Sequence, residues 1–338
     1  MTTVYFIRHA QSDYTVRGPM TRPLTAKGLA DRRLVTEYLR DARVDAVLSS
    51  PFKRAVDTVS AFAEYRGLEV ETIDGFRERR SDSDWDRDSD FAAFLKRQWD
   101  DFSYTLSDGE RLGEVQARNV AALEGVLSAH EGETVVIGTH GMALSTLINR
   151  YDPSYGYGDC MAMLDLMPWA VCMDFTGRDF AGMEKTDLFH PDRKPDYSKC
   201  EVATAGVGEL KAYRFVVIFA RCRGKWLYCR ARDRDVFETA GGRIERGETP
   251  CEAARRELYE ETGALAYDIR PAFDYSVRLP SAYSFGQVFL AEIHELGDMP
   301  DYEMAEVRLF DTIPDAMRFP AILPVLYERI IAAVPREG

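Results

Sequence analysis

Short apolar runs alternate with longer stretches of helical periodicity in the first half of the chain. Each of three runs is followed by a helix-like stretch: VYFI (4–7) by 25–40, DAVL (45–48) by 49–66, and TVVIG (134–138) by 141–151. Short buried runs that alternate with helices are typical of a parallel sheet covered by helices. We therefore predict an α/β layer fold with a parallel sheet for this half.

A polar stretch over 181–212, interrupted by prolines and glycines, separates the two halves. Polar segments with Pro and Gly are typical of domain linkers. We predict a first domain at 1–185, a linker at 186–208 and a second domain at 209–338, and 338 residues fit two domains.

The remaining elements are predicted from local pattern. Residues 161–175 form two strand-like runs split by Pro168. The second half begins with two strands around a turn at Gly224, and a further strand over 286–294 and a C-terminal helix over 321–334 follow.

An acidic helix is predicted from Pro250 to just before Gly263. Thr249 and Glu252 have the spacing of a capping box, with Pro250 at the first helical position. Gly263 is suited to the position just past the helix end. Cys251, Ala254 and Leu258 form an apolar stripe that should pack against the sheet.

Three glutamates share one face of this helix. Glu257, Glu260 and Glu261 lie at positions i, i+3 and i+4, and the glycine-rich loop TAGGRIERGE brings backbone carbonyls and Glu248 near them. A solvated acidic face is the ordinary interpretation of such a run. However, it explains neither the paired glycines nor the offset of Glu248. Oxygen ligands on one face suit Mg²⁺ or Mn²⁺, so we predict a metal site that bridges to substrate phosphates.

Three candidate phosphate ligands in the first half follow predicted strands. His9, Arg54 and His140 each lie just beyond the C-terminal end of a strand. Because these ends meet at one edge of a parallel sheet, we expect the three side chains to form one phosphate pocket. Pro51 is expected as the first helical residue before Arg54.

The net charge and the cysteine spacing limit the kinds of partner and site expected for this protein. The formal net charge is −13, which disfavours a nucleic-acid backbone or an anionic membrane as partner. The six cysteines have no metal-ligand spacing and are expected to be reduced thiols. The chain has no signal-peptide pattern or membrane-spanning apolar stretch, so we expect a soluble, cytoplasmic protein.

The acidic helix and its loop resemble the signature box of the Nudix hydrolases. Gly242 is followed after five residues by Glu248 and after seven more by Arg256-Glu257-Leu258-x-Glu260-Glu261-x-Gly263-Ala264. Every fixed position matches, although the family more often has a larger aliphatic residue at Ala264.

This resemblance implies an α/β/α sandwich that hydrolyses nucleoside-diphosphate-linked substrates. Glu257, Glu260 and Glu261 would bind Mg²⁺ or Mn²⁺, with the Gly241 carbonyl as a further candidate ligand, and Arg256 would orient the glutamates. Glu261 and Glu303 are the two candidates for the base that activates water. Four aromatic residues are candidates for stacking on a base, with core packing as the alternative: Trp226, Phe237, Tyr275 and Tyr283.

The first half resembles the histidine phosphatase superfamily, the phosphoglycerate-mutase-like group. The matching pieces are FIRHAQS, PLTAKG, SSPFKRAVDT, FRE with Trp85 downstream, and GTHG. The resemblance implies a three-layer α/β/α domain with a mostly parallel sheet and no cofactor. The family often has Gly in place of Ala10 and Asn in place of Thr15, and the second departure puts one phosphate contact in doubt.

By this resemblance, His9 is the nucleophile that forms a phosphohistidine. Arg8, Arg54 and His140 would clamp the phosphoryl oxygens. Glu78 would protonate the leaving oxygen and then activate water. Three aspartates crowd near Glu78 and complicate its assignment as the acid: Asp82, Asp84 and Asp86.

We therefore expect a bifunctional hydrolase that acts on small phosphorylated metabolites or nucleotides. A Nudix site can leave a phosphomonoester and a histidine phosphatase can remove it, so sequential action on one metabolite is a hypothesis. The alternative is that only one half is catalytic and the other is a ligand-sensing or regulatory domain.

Overall fold

The computed structural model describes residues 1–82, 91–193 and 195–334. The chain divides into two compact units. The N-terminal unit contains Thr2–Met173 and Glu184–Arg193, and the C-terminal unit contains Met1, Asp174–Met183 and Lys194–Gly338. Asp84, Trp85 and Asp86, which the sequence placed near the first site, lie outside the described residues.

The N-terminal unit alternates strands and helices along the chain. Its elements are β1 (Thr2–Arg8), α1 (Ala26–Tyr38), β2 (Ala46–Ser49), α2 (Lys53–Arg66), β3 (Val70–Thr72), α3 (Phe91–Asp100), α4 (Leu112–Ala129), β4 (Thr134–Thr139), α5 (Gly141–Tyr151), α6 (Tyr157–Met163) and β5 (Trp169–Thr176), whose last three residues belong to the C-terminal unit.

The sheet of this unit has the strand order β5-β1-β4-β2-β3. The pairs β1–β4, β2–β4 and β2–β3 are all parallel. Ile7 of β1 is buried in one core cluster with Val35 of α1 and Val59 of α2. The predicted α/β fold with a mostly parallel sheet is confirmed, and the C-terminal ends of β1 and β4 lie side by side because Arg8 is in register with Thr139.

Two local predictions in this unit were wrong. The apolar run before Pro168 belongs to α6 and the turn after it, and only the run after Pro168 forms a strand. A short apolar run has no periodicity that separates a buried strand from a buried helix. In addition, α2 begins at Lys53, because Phe52 has extended backbone angles (φ −72°, ψ 128°), so Pro51 precedes the helix.

The C-terminal unit is richer in strands. Its elements are β6 (Asp179–Asp187, of which 179–183 belong to this unit), β7 (Glu201–Ala205), β8 (Phe215–Cys222), β9 (Lys225–Ala231), β10 (Ala240–Arg243), α7 (Pro250–Thr262), β11 (Ala264–Leu279), β12 (Ala282–Leu296), β13 (Met304–Phe310) and α8 (Leu323–Ala333).

Strands of the C-terminal unit are covered by a helix on each face. The order is β13-β9-β8-β12, with β10 paired to β8 and β11 paired to β12. One core cluster contains Ala254 and Leu258 of α7 packed with Ile218 and Phe289, and Cys251 packs against it. Another contains Leu326 and Ile330 of α8. The predicted α/β/α sandwich is confirmed, and so is the apolar stripe of α7.

The start and end of α7 also follow the prediction. The Thr249 hydroxyl accepts from the backbone N–H of Glu252, whose carboxylate accepts from the backbone N–H of Thr249. Gly263 follows the helix in the left-handed conformation, with φ 72°. These caps fix where the three glutamates stand relative to the loop before them.

The stretch expected to be a linker contains strand β7, which pairs with β11 inside the C-terminal unit. The domain boundaries at 185 and 209 remain a prediction. Across the described residues, no helix combines the length and the apolar character needed to cross a bilayer.

Candidate active sites

His9 and His140 meet because they follow two paired parallel strands. The backbone N–H of His9 donates to the carbonyl of Thr139 at 3.0 Å, which extends the β1–β4 ladder by one residue. His140 is the N-cap of α5. The two imidazole centroids are 5.3 Å apart. The sheet therefore brings together two histidines that are far apart in sequence.

The hydrogen bonds of His9 fix its tautomer. Nδ1 lies 2.7 Å from the carbonyl oxygen of Ala10, which can only accept, so Nδ1 carries the proton. Nε2 lies 3.1 Å from Nε of Arg54, which can only donate, so Nε2 holds a lone pair. The imidazole thus presents an unprotonated Nε2 to a guanidinium.

Burial and neighbouring cations keep both histidines neutral. His9 and His140 are 4% and 0% exposed. Burial, with the charges of Arg54 and Arg8 beside it, holds the pKa of His9 well below its usual value. Burial, with Arg54 nearby, lowers the pKa of His140 in the same direction. A neutral imidazole is the nucleophilic form.

The site contains two buried polar atoms that lack a hydrogen-bond partner among the described residues, Nε of Arg8 and Nδ1 of His140. Arg8 is 5% exposed, and its Nη1 donates to the carbonyls of Met163 and Leu164. Nε2 of His140 lies 2.7 Å from the hydroxyl of Ser50. Buried polar groups are rarely left unsatisfied, so these atoms indicate a place for a ligand with acceptor oxygens.

Arg54 is 4% exposed and is held from both sides. Its Nη1 donates to the carbonyl of Pro19 at 2.6 Å, while its Nε donates to His9. Burial lowers the pKa of Arg54, and the guanidinium lies over the Phe52 ring at 5.0 Å. The guanidinium is therefore held against the unprotonated Nε2 of His9.

The Glu78 carboxylate lies at the N-terminus of α5. It accepts from the backbone N–H groups of Met142 and Ala143, each at 3.2 Å, and from that of Arg79 at 2.8 Å. Helix N-termini stabilise negative charge. Glu78 and the two histidines thus belong to one site.

Asp82 does not share that position. Its Oδ1 accepts from the hydroxyl of Thr105 and from the backbone N–H groups of Ser107 and Gly109. This carboxylate organises its own loop. Of the aspartates that complicated the assignment of Glu78, only Asp82 lies within the described residues.

The two departures from the family pattern have different surroundings. Ala10 is fully buried, and its backbone N–H donates to Thr58 at 3.0 Å. Thr15 is exposed, and both its hydroxyl and its backbone N–H donate to Asp13. The Thr15 hydroxyl is therefore committed to a local turn.

Arg256 organises the second site. Its Nε and Nη2 donate to the two oxygens of Glu248 at 2.6 and 2.9 Å, which is a bidentate pair. Its Nη1 donates to Glu257 at 2.7 Å and to Glu260 at 3.2 Å. The side chain therefore ties the glycine-rich loop to two of the three box glutamates.

Glu261 is bonded to the strand instead. Its Oε2 accepts from the backbone N–H of Gly241 at 2.8 Å. Gly241 is required by close approach, because a Cβ there would clash with the backbone carbonyl of Val216, whereas a Cβ on Gly242 would displace the Glu257 carboxylate. The paired glycines thus let the glutamates lie against β10.

The surroundings of this site raise the pKa of two of its carboxyl groups. Burial raises the pKa of Glu261 to about 8, and the nearby charges of Glu257, Glu238 and Glu303 add to the effect. Burial also raises the pKa of Glu257. By contrast, the hydrogen bond from Arg256 lowers the pKa of Glu248.

The donor set fits a hard divalent cation. Buried carboxylates with raised pKa values are stabilised by a nearby cation, and oxygen-only ligands suit Mg²⁺ or Mn²⁺. Within the described ranges, however, no three His, Cys, Asp or Glu side chains already converge on one metal position. Glu257 and Glu260 are each bonded to Arg256 through one carboxylate oxygen in this state.

Of the other residues considered for this site, most are in the core. Glu303 is exposed and influences Glu261 only electrostatically. Three of the four candidate stacking residues are buried around α8: Trp226, Phe237 and Tyr275. Tyr283 is half-buried and packs on Phe285 with a centroid distance of 5.0 Å. These contacts favour the core-packing alternative for the buried three.

Two residues that the sequence did not single out contribute to these sites. The Ser50 hydroxyl bonds His140, and it also accepts from the backbone N–H of Phe52. Glu238 is 6% exposed, pairs with Arg234 and Arg318, and contributes to the raised pKa of Glu261. The only signal for Ser50 was its place after a predicted strand, and Glu238 had none.

Family models match both halves. The histidine phosphatase superfamily (branch 1) matches residues 4–154, and the NUDIX domain matches residues 210–311. The uncharacterized phosphatase PhoE of Bacillus subtilis (strain 168) is 30% identical over 154 residues, which are 44% of this chain and 77% of that protein. The probable phosphoglycerate mutase GpmB of Enterobacter sp. (strain 638) is 28% identical over 161 residues, 44% of this chain and 74% of that protein.

Solved structures match each half separately. YhfR of Bacillus stearothermophilus is 26% identical, with a TM-score of 0.45, covering 53% of this chain and 94% of that chain. A pyrophosphohydrolase of Bacillus subtilis is 25% identical, with a TM-score of 0.36, covering 41% of this chain and 96% of that chain.

Proposed function

Because this chain belongs to the histidine phosphatase superfamily through its N-terminal half and carries a Nudix domain in its C-terminal half, we propose that it is a bifunctional hydrolase with two independent active sites. The first hydrolyses phosphomonoesters without a metal. The second cleaves a nucleoside-diphosphate-linked substrate with the help of a divalent cation. Both substrates are small phosphorylated metabolites or nucleotides.

The observation that carries the first activity is the fixed tautomer of His9. With its Nδ1 proton bonded to Ala10, Nε2 attacks phosphorus, and the P–N bond forms as the ester P–O bond breaks. Arg54 donates to Nε2 in the free site, and in the complex the same N–H is available to a phosphoryl oxygen.

The remaining groups of the first site bind the phosphoryl oxygens and transfer protons. Nε of Arg8 and Nδ1 of His140, which lack partners among the described residues, are suited to bond phosphoryl oxygens. A Ser50 hydroxyl that donates to Nε2 of His140 leaves the proton on Nδ1, as this role requires. Glu78 gives its proton to the leaving oxygen and then takes one from the water that releases the phosphohistidine.

The second activity is supported by the geometry of the acidic helix, where half-buried Glu261 is bonded to Gly241 and Arg256 is bonded to the other two box glutamates. Glu257, Glu260 and Glu261 would hold Mg²⁺ or Mn²⁺, together with the carbonyl of Gly241. When bound, the cation would supply charge neutralisation and polarisation at the phosphoryl group. Arg256 keeps Glu248, Glu257 and Glu260 oriented. Glu261 remains the first candidate for the base that activates water, and exposed Glu303 the second.

The two activities have a chemical reason to occur together. Cleavage of a pyrophosphate link leaves a phosphomonoester, and phosphomonoesters are what the first site is proposed to hydrolyse. Sequential action on one metabolite is therefore the proposed relationship. The alternative is one catalytic half with the other half acting as a ligand-sensing or regulatory domain. The side chains proposed for chemistry are present in both halves, which favours two activities.

A phosphorylated-metabolite panel with Mg²⁺ or with chelator tests this proposal on wild type, His9→Ala and Glu261→Gln. Activity that resists chelator and disappears in His9→Ala belongs to the first site. Activity that needs Mg²⁺ and disappears in Glu261→Gln belongs to the second. A half whose activity survives its own substitution is not catalytic in the proposed way. A Nudix product that the first site leaves intact, while other phosphoesters are hydrolysed, would rule out sequential action.

A further inference from the structure

Asp174 is a fully buried carboxylate that lies outside both family-matched ranges. It is 0% exposed and is the first residue of the segment Asp174–Met183, which belongs to the C-terminal unit. The histidine phosphatase match ends at 154 and the Nudix match begins at 210. A charge so completely removed from water is retained only with strong partners.

Its partners are two arginines that flank one strand pair. Nε of Arg214, which is 4% exposed, lies 2.8 Å from Asp174. Nη2 of Arg243 donates to both carboxylate oxygens, each at 2.8 Å. Arg243 is the last residue of β10 and is in register with Phe215 of β8, while the backbone N–H of Ile244 donates to the carbonyl of Arg214. Asp174 therefore holds the C-terminal end of β10 at its junction with β8.

The strand held in this way touches the proposed metal site at both ends. At its start, the N–H of Gly241 donates to Glu261. At its end, the carbonyl of Arg243 accepts from Nη2 of Arg256 at 3.2 Å. Arg256 in turn orients the box glutamates. A continuous chain of contacts thus runs from Asp174 through Arg243 to Arg256.

We propose that Asp174 is a positioning residue for the divalent-cation site of the Nudix domain. This inference rests on the proposed function of that domain. Asp174 holds Arg243 and so fixes the position of β10 relative to α7. The position of β10 in turn determines where the Gly241 carbonyl lies and how Arg256 is oriented. Partners that orient metal ligands typically affect metal affinity or activity by ~10–100-fold when they are removed.

A purely structural role for Asp174 makes a different prediction. If the carboxylate only neutralised Arg214, its loss would lower stability and leave the metal site of the folded protein unchanged. Arg243→Met separates the two roles, because it keeps the buried pair of Asp174 with Arg214 and removes the ion pair that joins Asp174 to β10. Arg243 is 42% exposed at its side chain, so this variant should fold.

The experiment measures Mn²⁺ binding to the full chain by electron paramagnetic resonance, with thermal unfolding of the metal-free protein recorded in parallel. We expect Asp174→Asn and Arg243→Met each to weaken Mn²⁺ binding by ~10-fold. Asp179→Asn, an exposed aspartate of the same segment, should bind Mn²⁺ as the wild type does. Hydrolysis of p-nitrophenyl phosphate in chelator, an activity of the other site, should be unchanged in Arg243→Met.

If folded Arg243→Met binds Mn²⁺ with an affinity within about twofold of the wild type, the proposal is overturned. This holds whether or not Asp174→Asn folds. This limit lies well below the ~10-fold effect expected when an orienting partner is lost. Failure of the proposed function has a separate signature. Wild-type protein that binds Mn²⁺ no better than Glu257→Gln would refute the metal site itself, and with it the role of Asp174.

Discussion

Nε of Arg54 donates to Nε2 of His9 across 3.1 Å, inside a site where the histidine is almost completely buried. The pair joins a fixed cation to an uncharged nitrogen that accepts its hydrogen bond. A phosphoryl group that enters would find its nucleophile and an oxyanion ligand already side by side. Preorganisation of this kind lowers the barrier because little rearrangement is left for the transition state.

Replacing His9 should abolish the first activity. We expect His9→Ala to lower kcat for p-nitrophenyl phosphate by ~10³-fold or more, since no other neutral nitrogen occupies this position. The matched control is His130→Ala, because His130 caps α4 and pairs with Glu133. Comparable losses in both variants would contradict a specific role for His9.

The protonation of His9 should depend on Arg54. Because burial and the two arginines hold its pKa below the ordinary value of 6.5, we expect His9 to stay neutral, with its proton on Nδ1, below pH 6.5. Arg54→Met removes one of these cations and should raise the pKa of His9. Nuclear magnetic resonance of ¹⁵N-labelled histidine reports both tautomer and titration.

Arg33→Met, which alters an exposed arginine of α1, is the control for this titration. A His9 in wild type that titrates at or above 6.5, or on Nε2, would show that the arrangement described here is wrong.

Glu261 should make the metal-free C-terminal unit less stable as pH rises. Its pKa is raised from 4.5 to about 8 on folding, so the folded state retains a proton that the unfolded state has lost in this interval. The free energy of unfolding therefore falls with increasing pH, and Glu261→Gln should remove much of that fall, on the order of a few kcal/mol at pH 8.

Denaturant unfolding in chelator at pH 5 and pH 8 measures this difference. Glu295→Gln, an exposed glutamate of β12, should behave as wild type. Equal pH dependence in wild type and Glu261→Gln would count against a buried, protonated Glu261.

Arg256 should matter far more than its neighbour Arg255. Arg256→Met frees Glu248, Glu257 and Glu260 at once, and we expect Mn²⁺ binding to weaken by ~10–100-fold. Arg255 is exposed on the same helix, so Arg255→Met should leave the affinity unchanged. Calorimetric titration with Mn²⁺ distinguishes the two. Tighter binding in Arg256→Met would mean that this arginine competes with the cation instead of orienting its ligands.

The local features of both sites were predictable because their causes lie within a few residues. The caps of α7 follow from the spacing of Thr249, Glu252 and Gly263. The proximity of His9 and His140 follows from the rule that the C-terminal ends of parallel strands share one sheet edge, and the β1–β4 pair follows this rule.

Other features depend on contacts that no local pattern contains. The tautomer of His9 is set by a carbonyl and a guanidinium, and the helix before Pro168 is set by packing around an ambiguous apolar run. The 16-residue strand β11 was not predicted at all, and its pairing with β12 and β7 explains why its mixed sequence is extended. Asp174 had no signal either, because both of its arginine partners are distant in sequence.

The segment Asp174–Met183 affects how the C-terminal half can be expressed alone or joined to another protein. A fragment cloned from residue 209 onward would contain Arg214 but lack the Asp174 carboxylate that pairs with it. The buried guanidinium would then have to be hydrated by entering water, or the β8–β10 junction would have to rearrange. The Nudix domain of this protein therefore depends on residues that precede its family-matched range. A fusion that moves this domain to another protein therefore has to include the segment Asp174–Met183.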